Sequence, residues 1–139
     1  MTLAERAFER LQAWPDLRAG HPSCGTGQAL RSSHGEIVHF HSDRDVDLHL
    51  TGHAIERFAR DLQGSTAIHL VPGSRWVTVH LDCDTDVDLL LSLVSMALKA
   101  YQGQAGESAA VCNFRRVTVV PRDVPLAGRG HCAGSRQAR

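Results

Sequence analysis

Residues 36–51 read EIVHFHSDRDVDLHLT, and this stretch decides the fold of the chain. Apolar and polar side chains alternate over residues 36–41 and again over residues 45–51, which is typical of strands that bury one face. The polar residues 42–44 between the two runs are typical of a tight turn. The stretch therefore predicts a β-hairpin with one apolar face.

A second hairpin is predicted further along the chain. Residues 67–71 (AIHLV) and 75–81 (RWVTVHL) alternate in the same way, and Pro72, Gly73 and Ser74 between them favour a turn. Since each hairpin has an apolar face to bury, we expect the two to form one mostly antiparallel sheet covered by helices.

Three amphipathic helices are predicted around these hairpins. The first covers residues 3–14 and is opened by a Thr-x-x-Glu capping box. A short helix is expected over residues 54–62, and a leucine-rich helix over residues 86–101 with Thr85 as its N-cap. The predicted order is α-β-β-α-β-β-α, an α+β fold with its helices packed on one face of the sheet.

The chain of 139 residues has no formal net charge, but its two parts differ. Residues 1–102 carry nine Lys and Arg against thirteen Asp and Glu, whereas residues 103–139 carry six Arg against two acids. We expect a folded domain over 1–102 and a divergent basic tail over 103–139, disordered or with one extra strand at 115–120. Truncation after Gln102 is expected to leave the melting temperature nearly unchanged.

Composition and patterning exclude several functional classes. The acidic body lacks the basic surface that nucleic-acid binding needs, and no apolar run reaches the ~20 residues that cross a membrane. The charged N-terminus lacks the apolar segment of a signal peptide, so a cytoplasmic location is expected. The four cysteines form no Cys-x-x-Cys pair, and we expect free thiols rather than zinc-ribbon ligands.

Histidine is the unusual feature of the composition, with nine in the chain. Because side chains alternate between the two faces of a strand, the histidines of the predicted strands lie opposite the aliphatic residues. We call this surface the histidine face; it comprises His39, His41, Asp47, His49, His69, Trp76, Thr78 and His80. Ile37 is expected on it as well. By the same parity Glu36 lies on the core side, and it joins the histidine face only if its strand bulges or if the residue lies at the open end of the strand.

Two interpretations of the histidine face are open. Antiparallel sheets often expose one face to water, and these histidines would then be ordinary surface side chains. Alternatively they form a functional cluster, since His39 and His41 are about 7 Å apart on one side of their strand, close enough to share a ligand. Imidazoles beside a carboxylate such as Asp47 suit zinc or iron, so a bound Zn or Fe ion is a secondary alternative.

Four motifs follow one another along the chain: GEIVHFH at residues 35–41, DLHL at 47–50, GSRWVTV at 73–79, and the Asp-Val pair at 86–87 that opens the leucine-rich helix. As a set, over about residues 12–102, they resemble the small bacterial luciferase-like domain family, relatives of the fungal luciferase. The resemblance implies an oxygen-using enzyme without an organic cofactor, a small oxidoreductase acting on an aromatic or pyrone-like metabolite.

In such a reaction a base forms the electron-rich substrate anion, and a histidine that titrates near neutrality suits that role. The resemblance and the strand parity together assign catalysis to His39, His41 and His49. They assign substrate binding to Glu36, Asp47, Trp76 and His80, with Trp76 as a flat apolar wall.

A non-catalytic alternative has the same fold: a small-molecule or metal-binding module, or a protein-interaction domain. A concave pocket over the histidine face would favour the enzyme, and a flat apolar patch there would favour the module.

Overall fold

The computed structural model describes residues 1–25, 27–33, 35–103 and 112–113 of the chain. Along these residues the elements are α1 (Leu3–Gln12), β1 (Arg18–Gly20), β2 (Gln28–Ser32), β3 (Gly35–Phe40), β4 (Asp45–His49), α2 (Gly52–Arg57), α3 (Ala59–Gln63), β5 (Ile68–Leu70), β6 (Trp76–His80) and α4 (Asp84–Gly103). The α+β class that the sequence predicts is confirmed.

The strands form one antiparallel sheet in the order β1-β2-β3-β4-β6-β5. The two predicted hairpins are β3–β4 and β5–β6, and they join where β4 pairs with β6. Strands β1 and β2 extend the sheet beyond β3, and the predicted element order lacked them. They are only three and five residues long and flank a Gly- and Pro-rich loop, so they give little periodic signal.

The apolar core lies between the sheet and the helices α1 and α4. The aliphatic residues predicted to face inward are all buried there: Val46, Leu48, Leu50, Val77, Val79 and Leu81 from the strands, with Leu90, Leu93, Val94 and Ala97 from α4. The predicted parity is therefore confirmed for β4 and β6, and their opposite face is the histidine face.

The helix ends follow from local hydrogen bonds. Thr2 and Glu5 form the predicted capping box, with each side chain accepting the other's backbone N–H. Helix α4 begins at Asp84, which corrects the prediction of Thr85 as its cap. The single helix predicted over 54–62 is two short helices, because the backbone leaves helical geometry at Phe58. Within the described ranges, none of the helices combines the length and apolarity that a membrane crossing needs.

A β-bulge in β3 changes which side chains this strand presents. Leu30 pairs with Val38, but the next residue of β2, Arg31, pairs with Glu36, so β3 carries one extra residue. Ile37 is that residue, and it is buried in the core like Val38, which corrects its expected position on the histidine face. A bulge is one of the two conditions under which Glu36 was expected to reach that face, and the Glu36 carboxylate contacts His39 there.

Candidate functional site

The central part of the histidine face is buried. His39, His49 and Trp76 are 1%, 0% and 1% exposed. His39 pairs with Asp47 across β3 and β4, and Asp47 pairs with Thr78 across β4 and β6. Asp47 and Thr78 are buried as well. A solvated sheet surface therefore describes only His69 and His80, which are exposed. The central histidines need another explanation.

Glu36 and His39 form a short contact at the buried part of the histidine face. Glu36 Oε1 lies 2.6 Å from His39 Nε2 and also accepts hydrogen bonds from the backbone N–H and the hydroxyl of Ser23. Burial alone would raise the pKa of Glu36, but the bonds from Ser23 and His39 lower it below its usual value. An ionised carboxylate only accepts, so the His39 proton lies on Nε2 and the lone pair of a neutral ring lies on Nδ1.

Trp76 packs against two of the candidate histidines. The ring centroid of Trp76 is 4.6 Å from that of His39 and 5.0 Å from that of His49. Burial, with the positive charge of Arg75, lowers the pKa of His49 to about 4. Burial, together with the neighbouring His39, lowers the pKa of His41 to about 4 as well. Both rings are therefore neutral at pH 7, the form that accepts a proton or binds a metal.

Asp47 is the second buried carboxylate of the site. Its Oδ1 accepts a 2.7 Å hydrogen bond from Thr78 Oγ1, and its Oδ2 accepts one of 2.9 Å from the backbone N–H of Asn113. The same Oδ2 lies 3.5 Å from His41 Nδ1. Burial raises the pKa of Asp47, although these hydrogen bonds oppose the shift. Asp47 thus links β4 and β6 to His41 and to a distant part of the chain.

Asn113 is that distant part, and it lies directly on the histidine face. Its side chain donates to the Trp76 carbonyl (2.9 Å) and to Thr78 Oγ1 (3.2 Å), and it accepts from Ser74 Oγ (2.5 Å). Asn113 is fully buried. The expectation that residues 103–139 add little to stability therefore does not hold for this residue. The strand predicted over 115–120 lies outside the described residues.

We expect Asn113→Ala to lower the free energy of unfolding by about 1–3 kcal/mol, because it leaves buried polar groups of Ser74, Thr78 and the Trp76 backbone without this partner. Urea unfolding measures the loss. Gln63→Ala is the control, since it removes an exposed amide from α3 and should change stability by less than about 0.5 kcal/mol. Equal stabilities of the two variants would contradict the structural role of Asn113.

Two cysteines complete the site, and neither was expected there from the sequence. Cys24 Sγ lies 3.3 Å from His41 Nε2 and 3.7 Å from His39 Nδ1, and Cys112 Sγ lies 3.7 Å from His41 Nε2. Both are cysteines outside any disulfide, as expected. Cys83 is disulfide-bonded, which corrects the expectation of a free thiol there, and Cys132 lies outside the described residues. Neither Cys24 nor Cys112 belongs to a short-spacing motif, so no local signal marked them.

His80, the remaining predicted site residue, lies at the end of β6 with its side chain 46% exposed. Its Nδ1 is 2.8 Å from Asp45 Oδ1 and its Nε2 is 3.2 Å from Asp82 Oδ1. The hydrogen bond to Asp45 raises the pKa of His80, although burial opposes this, and the same bond lowers the pKa of Asp45. His80 is thus placed in a surface ion pair and not with the buried histidines.

This pair gives a pH-dependent contribution to stability. It is fully present below the unfolded pKa of histidine, about 6.5, and is lost as pH rises through the raised pKa of His80. At the acid end it is lost as pH falls through the lowered pKa of Asp45. We expect His80→Gln to lower the free energy of unfolding more at pH 5.5 than at pH 9, by under about 1 kcal/mol because the pair is half exposed. His69→Gln is the matched control; a pH-independent difference for His80→Gln would contradict the pairing.

A cleft of about 470 Å³ lies elsewhere on the molecule. Its lining comes from the loop after α1, from β1 and β2, and from α4; the residues are Pro15, Asp16, Arg18, Arg31, Ser32, Ser33 and Leu98. None of them belongs to the histidine face. This cleft is therefore not the concave pocket over the histidine face that would favour an enzyme, and residues 23–24 and 112–113 lie against the site instead.

Comparison with known protein families gives one match. Residues 34–97 match the family model described as Luciferase domain. No curated protein matches the chain, and no solved structure matches it either. The matched segment runs from the start of β3 into α4 and contains Glu36, His39, His41, Asp47, His49 and Trp76. It leaves out Cys24, Cys112 and Asn113.

Proposed function

We propose, from the match of residues 34–97 to the family model described as Luciferase domain, that the protein is a small oxygen-dependent oxidoreductase acting on an aromatic or pyrone-like metabolite. Its reactive centre is the buried part of the histidine face. The observation that supports this assignment is the constellation of Glu36, His39 and Trp76 within the matched segment, where a buried imidazole is held between a carboxylate and an indole.

In this proposal an imidazole accepts the hydroxyl proton of the substrate, and the resulting anion gives its electrons to O₂, so that a carbon–oxygen bond forms and a peroxide results. The candidates for the proton acceptor are His39, His41 and His49. Glu36 and Asp47 hold ring orientations, since each carboxylate lies beside an imidazole nitrogen. Trp76 is the apolar group against which the substrate would lie.

Oxygen uptake tests this proposal. The full chain is incubated with hydroxylated pyrones and phenols, O₂ consumption is followed with an electrode, and products are identified by mass spectrometry. We expect His39→Ala, His41→Ala and His49→Ala each to lower turnover about 10²–10⁴-fold, because positioned proton transfer contributes that much. His69→Ala removes an exposed imidazole of β5 and is the matched control. Turnover that all three variants retain would contradict the placement of the reactive centre.

A non-catalytic binding module is the second candidate function. The observation that favours it is the near-complete burial of His39, His49 and Trp76, with Cys24 and Asn113 against the same face. A module of this kind binds a ligand of the panel, or a metal ion, without consuming O₂. Absence of O₂ uptake across the panel by folded protein favours the module and contradicts the oxidoreductase.

A further inference from the structure

Four side chains of the kinds that bind metal ions lie close together at the histidine face. The Sγ atoms of Cys24 and Cys112, Nδ1 of His39 and Nε2 of His41 all lie within 4.8 Å of one another. We propose that these four residues bind one tetrahedral Zn²⁺ ion. The inference stands on their geometry, and it deepens the proposed function by dividing the histidines between metal binding and proton transfer.

The separations between the donors are close to those of a zinc site. With Zn–S bonds of about 2.3 Å and Zn–N bonds of about 2.0–2.1 Å in tetrahedral geometry, a sulfur and a nitrogen ligand lie about 3.5 Å apart. Three of the four sulfur–nitrogen distances here are 3.3 Å, 3.7 Å and 3.7 Å, and the fourth, between Cys112 and His39, is within 4.8 Å. Only small side-chain adjustments would bring the donors onto a common ion.

The outer nitrogens of both histidines supply a second, independent observation. His39 faces the cysteines with Nδ1 and has Glu36 at 2.6 Å from Nε2. His41 faces them with Nε2 and has Asp47 at 3.5 Å from Nδ1. A carboxylate on the far nitrogen is the usual partner of a metal-binding histidine, because it fixes the tautomer and ring orientation. The arrangement occurs here twice.

The carboxylates are themselves held in place. Ser23 donates two hydrogen bonds to Glu36, and Thr78 and the Asn113 backbone donate to Asp47. Two of these donors are adjacent in sequence to the cysteine ligands, since Ser23 precedes Cys24 and Asn113 follows Cys112. Each of these two segments therefore provides one cysteine ligand and one hydrogen-bond donor to a carboxylate that orients a histidine. That histidine is His39 for residues 23–24 and His41 for residues 112–113.

The chemistry of the donor set indicates zinc. Two thiolates and two neutral imidazoles in tetrahedral geometry suit Zn²⁺, whereas calcium and magnesium prefer oxygen ligands. Four protein ligands fill the tetrahedral shell, which is typical of a structural site. The ion would fasten the loop around Cys24 and the segment around Cys112 to β3. Among the histidines proposed for catalysis, His49 then remains as the proton acceptor beside Trp76.

Metal binding by the full chain, produced without a histidine tag, tests the inference. After removal of metal with a chelator, Zn²⁺ is titrated against a chromophoric competitor, and elemental analysis gives the stoichiometry. We expect one Zn²⁺ per chain, and Co²⁺ in its place should show thiolate-to-metal charge transfer with tetrahedral d–d bands. Glu36→Gln should weaken binding about 10–100-fold, the usual effect of losing such a carboxylate. Cys24→Ser and Cys112→Ser remove ligands and should weaken it further, while His69→Ala should bind as the unsubstituted chain does.

Three results would overturn the inference: no stoichiometric Zn²⁺ after reconstitution, unchanged affinity in both cysteine variants, or a Cys24–Cys112 disulfide in the native chain. Circular dichroism checks the fold of each variant. If Cys112→Ser fails to fold, the partly exposed Cys24 still gives the test. The readout is separate from turnover. O₂ uptake by a chain that binds no stoichiometric Zn²⁺ contradicts the zinc site and leaves the oxidoreductase, and zinc binding without O₂ uptake does the reverse.

Discussion

Gly27→Ala is expected to lower the free energy of unfolding by more than about 3 kcal/mol, which is a large part of the ~5–15 kcal/mol that stabilises a typical domain. A Cβ added to Gly27 would lie 1.9 Å from the carbonyl oxygen of Phe40 and 3.3 Å from the Cα of His41. The backbone φ of Gly27 is +84°, which disfavours a side chain as well. Because the obstructing atoms are backbone, β2 would have to separate from the end of β3.

Gly25→Ala is the matched control for this substitution. Its φ is +81°, but an added Cβ meets nothing within 4 Å. It therefore carries the conformational cost alone, about 1–2 kcal/mol. Chemical denaturation of both variants measures the difference between their free energies of unfolding. This difference is the cost of the close approach between the added Cβ of residue 27 and the Phe40 carbonyl. A Gly27→Ala variant no less stable than Gly25→Ala would contradict the position of β2 against β3.

Leu50→Ala is expected to cost about 2–5 kcal/mol, because it opens a cavity in a packed core. Leu50 is fully buried, and its backbone N–H donates to the Arg75 carbonyl between β4 and β6. Leu89→Ala is the control, since Leu89 lies on α4 and is only partly buried. Urea unfolding should show the larger loss for Leu50. Similar losses in the two variants would contradict the strand parity from which the histidine face was deduced.

The fold could be predicted from strand parity because the alternation of apolar and polar residues, with a period of two, is visible in the sequence. Residues 45–51 and 75–81 each bury one alternating set against α4, and the opposite set contains Asp47, His49, Trp76 and Thr78. The regular part of the sheet was therefore predictable. The short strands β1 and β2 were not, since three and five residues show too little periodicity to distinguish them from loop.

The composition of the site was less predictable than the fold. Glu36 reaches His39 through a bulge, and a single extra residue in a strand has no marker in this sequence. Cys24 and Cys112 are 88 positions apart and meet only after the sheet has formed. Asn113 falls in a segment whose composition is typical of a tail, yet it makes buried hydrogen bonds to β6. Long-range contacts of this kind require the tertiary structure.

The most direct test of the site is a crystal structure of the Zn²⁺-loaded protein with data collected on both sides of the zinc absorption edge. If the four residues bind zinc as proposed, we expect one anomalous peak on the histidine face. It should lie about 2.3 Å from the Sγ atoms of Cys24 and Cys112 and about 2.0–2.1 Å from His39 Nδ1 and His41 Nε2. An anomalous peak bound only by surface residues such as His80 and Asp82, or a Cys24–Cys112 disulfide in place of the ion, would contradict it.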